Sequence, residues 1–158
     1  MSQFLGDYEC KLDAKGRLSF PSALRKKMPP EAQDKFVINR GYENCLQLFP
    51  YNEWILKSKA VDALDLDDPE SRNYHRWFYR GATEVELDAA GRILIPKLLC
   101  DHAGIDKELF LCASGVKIEI WSKERYLKRI NEEPDDISEL GKKVMSKPKL
   151  GGLLGGLS

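Results

Sequence analysis

The 158-residue sequence has no long apolar run and no net charge. No stretch of about 18 consecutive apolar residues occurs, so we expect no membrane span and no membrane partner. The first residues lack the cationic and then apolar segments of a secretory signal, which predicts a cytoplasmic protein. Basic and acidic residues number 25 each, which argues against a simple polybasic nucleic-acid binder. Any positive surface must come from local clusters.

Histidine and cysteine are too few and too scattered to indicate a metal centre. The only histidines are His75 and His102, and none of the four cysteines forms a C-x-x-C pair. Without an export signal, we expect the cysteines to be buried free thiols. Phosphate-binding loops, nucleophile elbows and zinc-protease motifs are also missing from the sequence. The sequence therefore predicts no catalytic residue, no metal, no cofactor and no enzymatic activity.

What the sequence does contain is an internal repeat. Residues 6–25 read GDYECKLDAKGRLSFPSALR, and residues 81–100 read GATEVELDAAGRILIPKLLC. Nine of the twenty aligned positions are identical at an offset of 75 residues, as from Asp13 to Asp88. Further on, LQLFPYNEW (46–54) aligns with IEIWSKERY (118–126) at an offset of 72. The chain is therefore built from two copies of one module.

The repeat sets the predicted domain organisation. We place the two modules at 6–57 and 81–129, a linker with a helix at 58–80, and a charged helix or flexible glycine-rich tail at 130–158. A module of about 50 residues with short strands has little core of its own and needs a partner. Two tandem copies are expected to partner each other, as a pseudo-dimer within one chain.

Each copy predicts the same order of short elements. A strand leads into an Asp-x-x-Gly-Arg turn, a second strand, and a proline at the first position of a short helix. A hairpin and a closing helix follow. The predicted positions are strands at 8–12 and 83–87, hairpin turns at 40–44 and 113–115, a helix stop at Gly104 and a linker helix at Glu70–Tyr79. The predicted fold class is mainly β with short helices.

The turns carry the candidate site. Glycine allows the positive φ of a tight turn, and aspartate can bond the backbone two residues on. A guanidinium fork fits a phosphate or the O6/N7 edge of guanine, so the arginines are candidate DNA contacts, with added charge from nearby lysines. The alternative is structural, with each aspartate pairing an arginine to pin the turn. The candidate DNA-binding residues are Arg17, Lys15, Arg92 and Lys11, and the motif-orienting residues are Asp13, Gly16, Asp88 and Gly91.

The doubled motif resembles a known family. The stretches Leu12–Pro21 and Leu87–Pro96, with the entries Phe4–Gly6 and Phe78–Ala82, are similar to the double AbrB-like (SpoVT-AbrB, swapped-hairpin) arrangement of the MraZ family. The likeness covers about residues 1–130. Two copies of the motif at this spacing, with a helix between them, make it specific.

The resemblance implies both a fold and a function. It implies two tandem swapped-hairpin modules forming an intrachain pseudo-dimer. It further implies a nucleoid-associated bacterial transcription regulator that binds double-stranded DNA through the Asp–Arg loops as a ring-like homo-oligomer. The expected target is the division and cell-wall gene cluster, including its own promoter, with repression as the expected effect. Because one subunit with zero net charge should bind DNA weakly, we expect a promoter with several short direct repeats.

Two alternatives stay open at this point. The chain could be an oligomeric assembly protein that binds no DNA, or an AbrB-type antitoxin with a toxin partner.

The two loops also differ, since Lys15 of the first corresponds to Ala90 of the second. The basic run 25–27 follows only the first loop and suits a solvated helix end. We therefore expect the first module to contribute most of the electrostatic affinity.

Overall fold

The computed structural model of the protein describes residues 3–148. The strands are β1 (Phe4–Lys11), β2 (Arg17–Ser19), β3 (Lys35–Arg40), β4 (Leu46–Pro50), β5 (Thr83–Glu86), β6 (Arg92–Leu94), β7 (Glu108–Gly115) and β8 (Lys117–Ser122). The helices are α1 (Ser22–Arg25), α2 (Tyr51–Asp62), α3 (Pro69–Tyr79), α4 (Lys97–Ala103), α5 (Lys123–Asn131) and α6 (Ile137–Met145), with a 3-10 turn at Pro30–Ala32. The chain divides after Tyr126 into two compact units.

One antiparallel sheet of six strands forms the centre of the first unit. Its strand order is β1-β7-β8-β4-β3-β5. Matching elements of the two copies are β1 and β5, β3 and β7, and β4 and β8. When each strand is replaced by its equivalent in the other copy, the strand order of the sheet is reversed onto itself. An internal pseudo-twofold axis therefore passes between β4 and β8, where Gln47 pairs with Glu119 at the middle of the register.

The two copies exchange strands. Strand β1 of the first copy pairs with β7 of the second, and β5 of the second pairs with β3 of the first. The registers match as well, because the pair Cys10–Leu109 is equivalent to the pair Val85–Phe36. Neither copy could form this sheet alone. The predicted mainly β core with short helices, built from two swapped modules, is confirmed.

A two-stranded ribbon, β2–β6, joins the copies a second time. Leu18 pairs with Ile93 at its middle, and both side chains are fully buried. The ribbon is extended by two backbone hydrogen bonds, in which Phe20 N donates to Gly91 O (2.9 Å) and Ile95 N donates to Gly16 O (3.0 Å). Each Asp–Arg turn is thus bonded through its glycine carbonyl to the other copy.

The buried apolar residues form two clusters. The larger one contains side chains of both copies and lies between the sheet and the ribbon strands. The smaller one lies under α2 and α3, where the Trp54 and Phe78 rings stack at 4.9 Å between centroids. The aromatic residues Tyr74, Trp77 and Phe78 of α3 therefore pack in or against this smaller cluster. Asp68 caps that helix by accepting a hydrogen bond from Ser71 N (3.0 Å).

Local details differ from the sequence predictions in two places. Pro21 and Pro96 precede their helices by one residue as caps, because their ψ angles of 133° and 138° are extended. The second hairpin turns at 115–116, because Ser114 still pairs with Lys117 and Gly115 takes the left-handed φ of 77°. The predicted helix stop at Gly104 is confirmed by its φ of 66°.

The four cysteines are free thiols, as predicted, but only two are buried. Cys10 is half-buried because β1 is an edge strand. Cys112 is half-buried because it alternates along β7 with the fully covered Leu111 and Ala113. Burial raises the pKa of Cys112 to about 12 and that of Cys45 to about 11. These thiols stay protonated and unreactive at neutral pH.

The second unit contains the end of α5 and the amphipathic helix α6. Asp136 caps α6 by accepting a hydrogen bond from Glu139 N (3.1 Å). A helix is therefore present after residue 130, where the sequence left a charged helix and a flexible tail as alternatives. The glycine-rich end, predicted as a flexible tail, lies outside the described residues from 149 onward. Within residues 3–148, no helix is long and apolar enough to cross a membrane.

The ribbon core generates a stability prediction. Leu18→Ala should lower the free energy of unfolding by about 2–5 kcal/mol, because it leaves a cavity where the two copies meet. Leu94→Ala is the matched control, since Leu94 lies on the same ribbon and is 56% exposed. Urea denaturation followed by circular dichroism measures both. Equal destabilisation by the two variants would mean that the ribbon does not hold the copies together.

Candidate nucleic-acid interface

The first loop is closed by its own aspartate. Asp13 Oδ1 accepts hydrogen bonds from the backbone N of Lys15 and of Arg17, each at 2.9 Å. Asp13 Oδ2 accepts from Arg17 Nε at 2.7 Å. Gly16 N donates to Asp13 O at 3.0 Å, and Gly16 has a φ of 81°. One carboxylate thus orders both the turn and the arginine that ends it.

The second loop repeats this geometry. Asp88 Oδ1 accepts from Ala90 N and Arg92 N, each at 2.9 Å, and Asp88 Oδ2 accepts from Arg92 Nε at 3.0 Å. Gly91 has a φ of 77°. The two loops are therefore the same structural device, as the repeat predicts.

These hydrogen bonds shift the acidity of both aspartates. The backbone N–H of Arg17 lowers the pKa of Asp13, with the Arg17 side chain and the Lys15 N–H acting in the same direction. The pKa of Asp88 is lowered in the same way, chiefly by the backbone N–H of Arg92. Both carboxylates are therefore ionised at neutral pH, and both arginines are held by charge-assisted bonds.

The ribbon places both arginines on one exposed face. Leu18 and Ile93 point into the core, so the neighbouring positions Arg17 and Arg92 point outward. Arg17 pairs with Leu94, two residues from Arg92, which makes the two arginines diagonal neighbours on the ribbon. Diagonal neighbours in a β-ladder are typically separated by about 7–8 Å, within reach of long side chains. Each guanidinium binds its aspartate through Nε, and among residues 3–148 its Nη atoms make no other hydrogen bond. Two partly exposed forks, related by the pseudo-twofold, thus lie at the protein surface.

The surroundings of the two loops differ. The first loop and α4 line a surface groove of about 430 Å³ that includes Lys15 and Lys97. Lys97 is paired with Asp101 at 3.3 Å, so Lys15 is the additional cation of this loop. At the equivalent position the second loop has Ala90.

Arg25, the first residue of the basic run 25–27, lies beside the other loop. A Cβ on Gly91 would lie 3.2 Å from Arg25 Nη1, so Arg25 packs against the second loop although it follows the first in the sequence. The strand exchange explains this, because each short helix follows its ribbon strand across to the other copy. The expectation that this run adds its charge to the first loop is therefore wrong for Arg25, while a larger contribution of the first module to the affinity stays a prediction. Sequence analysis missed Arg25 as part of the second loop, and applying the swap to α1 could have identified it.

Lys11 is not brought to the loops. It ends β1 opposite Glu108, whose pKa is lowered mainly by Lys123 and partly by Lys11. Lys123 itself bonds Glu9 at 2.9 Å and Glu108 at 3.1 Å. Lys11 thus lies in a charged network on the sheet edge. In the described part of the chain, no group of three His, Cys, Asp or Glu residues could hold a metal ion.

Comparison with known proteins identifies relatives over nearly the whole chain. The family model described as "MraZ protein, putative antitoxin-like" matches residues 3–77 and 78–140. A protein of Christiangramia forsetii named Transcriptional regulator MraZ is 41% identical over 97% of this chain and 99% of its own length. Proteins of the same name from Cytophaga hutchinsonii and Clostridium acetobutylicum are 35% and 36% identical, over 94% and 89% of this chain and 99% and 96% of their own lengths.

The hydrogen bonds that Asp13 and Asp88 accept lead to a titration prediction. In ¹³C NMR, Asp13 and Asp88 should titrate below the ordinary pKa of 3.8. A carboxyl whose native pKa is depressed stabilises the fold above its unfolded pKa and loses that contribution as the pH falls through the native value. In Arg17→Gln, the Asp13 pKa should rise only part of the way, because the backbone N–H remains. An unchanged Asp13 pKa in this variant would show that the side chains are not paired.

Proposed function

The chain belongs to the MraZ family, and we propose that it is a transcription regulator that binds double-stranded DNA sequence-specifically through its two Asp–Arg loops. The observation that carries the proposal is the pair of outward-facing arginines, Arg17 and Arg92, on the β2–β6 ribbon. The names of its relatives support the regulatory role, and the ribbon geometry supports the DNA contact. This is a binding function rather than a catalytic one.

The two-stranded β2–β6 ribbon is the element expected to enter a DNA groove. The major groove of B-DNA admits a two-stranded β-ribbon, and an arginine fork can bond the O6 and N7 atoms of guanine there or a phosphate at its edge. In this arrangement the aspartates do not touch DNA, because a phosphate would repel them. Each aspartate instead holds Nε of its arginine and leaves the Nη atoms for the duplex.

The neutral net charge of the chain requires several subunits on one DNA. A single chain presents few phosphate contacts and should bind weakly. A homo-oligomeric ring repeats the same ribbon, and linked sites raise affinity through effective concentration. The matching DNA is a promoter with short direct repeats spaced near one helical turn, about 34–36 Å. We place this promoter upstream of the chain's own gene, in the division and cell-wall cluster, where occupancy by a cytoplasmic, nucleoid-associated protein represses transcription.

The alternatives make different demands on the same residues. In an oligomeric assembly protein, the Asp–Arg pairs would be salt bridges only, and losing an arginine would weaken the fold or the oligomer. The family description mentions antitoxins, and an antitoxin would need a toxin-binding segment in addition to its DNA-binding module. The DNA proposal requires the arginines for binding and not for assembly.

The arginines supply the test of the proposal. Arg17→Ala and Arg92→Ala should each abolish specific binding to the duplex upstream of the gene, with the oligomer size unchanged and the melting temperature lowered only slightly by the loss of a partly exposed ion pair. Gel shifts against a shuffled duplex measure specificity, and light scattering measures the oligomer. Arg76→Ala, on the exposed side of α3, is the charge-matched control and should bind normally. Loss of the oligomer in the arginine variants would favour the assembly protein.

Lys15 generates a separate prediction about salt. Lys15→Ala should weaken binding and lower the slope of log K against log salt by about 0.9 for each phosphate that is no longer neutralised. Lys59→Ala, an exposed lysine on α2, removes the same charge and should change neither quantity. If Lys15→Ala leaves affinity and slope unchanged, the first loop does not approach the phosphates.

A further inference from the structure

Arg25 lies directly against the second loop. Its Nη1 atom is 3.2 Å from the position that a Cβ on Gly91 would occupy, so the absence of a side chain at Gly91 lets the guanidinium approach the turn. Arg25 ends α1 of the first copy and remains 44% exposed. A solvent-accessible cation of one copy thus sits on the loop of the other.

Asp34 holds Arg25 in this place. Arg25 Nη2 donates to Asp34 Oδ2 at 3.2 Å, and Asp34 O accepts from Leu87 N at 3.1 Å, immediately before the second loop. The same residue therefore fixes the entry of the loop through its backbone and the arginine through its carboxylate. An exposed pair of this kind is worth little by itself, so its role is to position Arg25 rather than to stabilise the fold.

The first loop has no such arginine. The residue equivalent to Arg25 is Cys100, which is buried beside the first loop. The residue equivalent to Asp34 is Lys107, whose carbonyl accepts from Leu12 N at 2.8 Å. Each loop therefore has one additional cation in a different form. The first carries Lys15 within the turn, and the second, which has Ala90 there, receives Arg25 from the opposite copy.

We propose that Arg25 is part of the DNA-contacting surface and performs at the second loop the phosphate contact that Lys15 performs at the first. This inference rests on the proposed function and assigns it a residue outside the Asp–Arg motif. Arg25 can keep Asp34 on one Nη atom and offer the other to a phosphate. Each half of the DNA surface is then a composite of both copies.

The decisive experiment is a rescue. Fluorescence anisotropy with the duplex upstream of the gene is measured from low to high salt. Arg25→Ala should weaken binding roughly tenfold at low salt and reduce the salt slope by about 0.9 per engaged subunit. Adding Ala90→Lys to Arg25→Ala should restore affinity and slope, because the new lysine occupies the position of Lys15. A purely structural arginine would not be rescued in this way.

Two further variants complete the test. Lys27→Ala removes one charge from the same basic run, but Lys27 lines the groove beside Leu5 and Tyr8 instead of the loop, so binding should stay within about twofold. Asp34→Asn should weaken binding less than Arg25→Ala does, since it loosens the positioning of Arg25 but keeps its charge. Melting temperatures of all variants should match that of the wild type.

The outcomes separate this inference from the proposed function. If the wild-type chain binds no duplex, the proposed function itself fails. If the wild type binds and Arg25→Ala binds equally well, DNA binding stands and the role of Arg25 is wrong. An equal loss of affinity in Lys27→Ala, or no rescue by Ala90→Lys, would also overturn the role of Arg25, because the effect would then be one of general charge or of folding.

Discussion

The pairing of Leu18 with Ile93 between β2 and β6 is the contact on which the rest of the molecule depends. It joins two short strands that have no other strand partner in the described sheets, and it lies on the pseudo-twofold that relates the copies. Its inner face closes the shared core, and its outer face carries the arginines. The buried leucine and isoleucine and the exposed guanidinium groups therefore share one register, and a slip of one residue would exchange them.

The hydrogen bonds of the two loop aspartates orient the arginines that the ribbon positions. A three-residue strand fixes the backbone position of an arginine but leaves its long side chain free to sample many rotamers. Immobilising that side chain later costs conformational entropy. By binding Nε, Asp13 and Asp88 remove part of that freedom before any ligand arrives. The structural and functional interpretations of the motif are thus compatible, because the same ion pair that pins the turn also orients the Nη atoms.

Strand exchange makes the two loops equal in backbone and unequal in surroundings. Because each short helix crosses to the other copy, a substitution in one module changes the surroundings of the loop in its partner module. The second loop has Ala90 where the first has a lysine. Because of the exchange, Arg25 of the first copy lies against this second loop. In a chain without net charge, each loop in this way still has a cation beyond its own motif arginine.

The repeat, the turns and the order of elements can all be read from the amino-acid sequence. Asp-x-x-Gly-Arg specifies its turn locally, through a glycine with positive φ and an aspartate that bonds nearby N–H groups, so Asp13, Gly16, Asp88 and Gly91 can be identified from one copy or two. Alternating strands and proline-led helices are equally local signals. Which copy each element packs against becomes known only from the three-dimensional fold. The sequence order assigns Arg25 to the wrong loop and groups Lys11 with the loops although it lies opposite Glu108, because proximity across an exchanged sheet depends on long-range strand pairing rather than on distance along the chain.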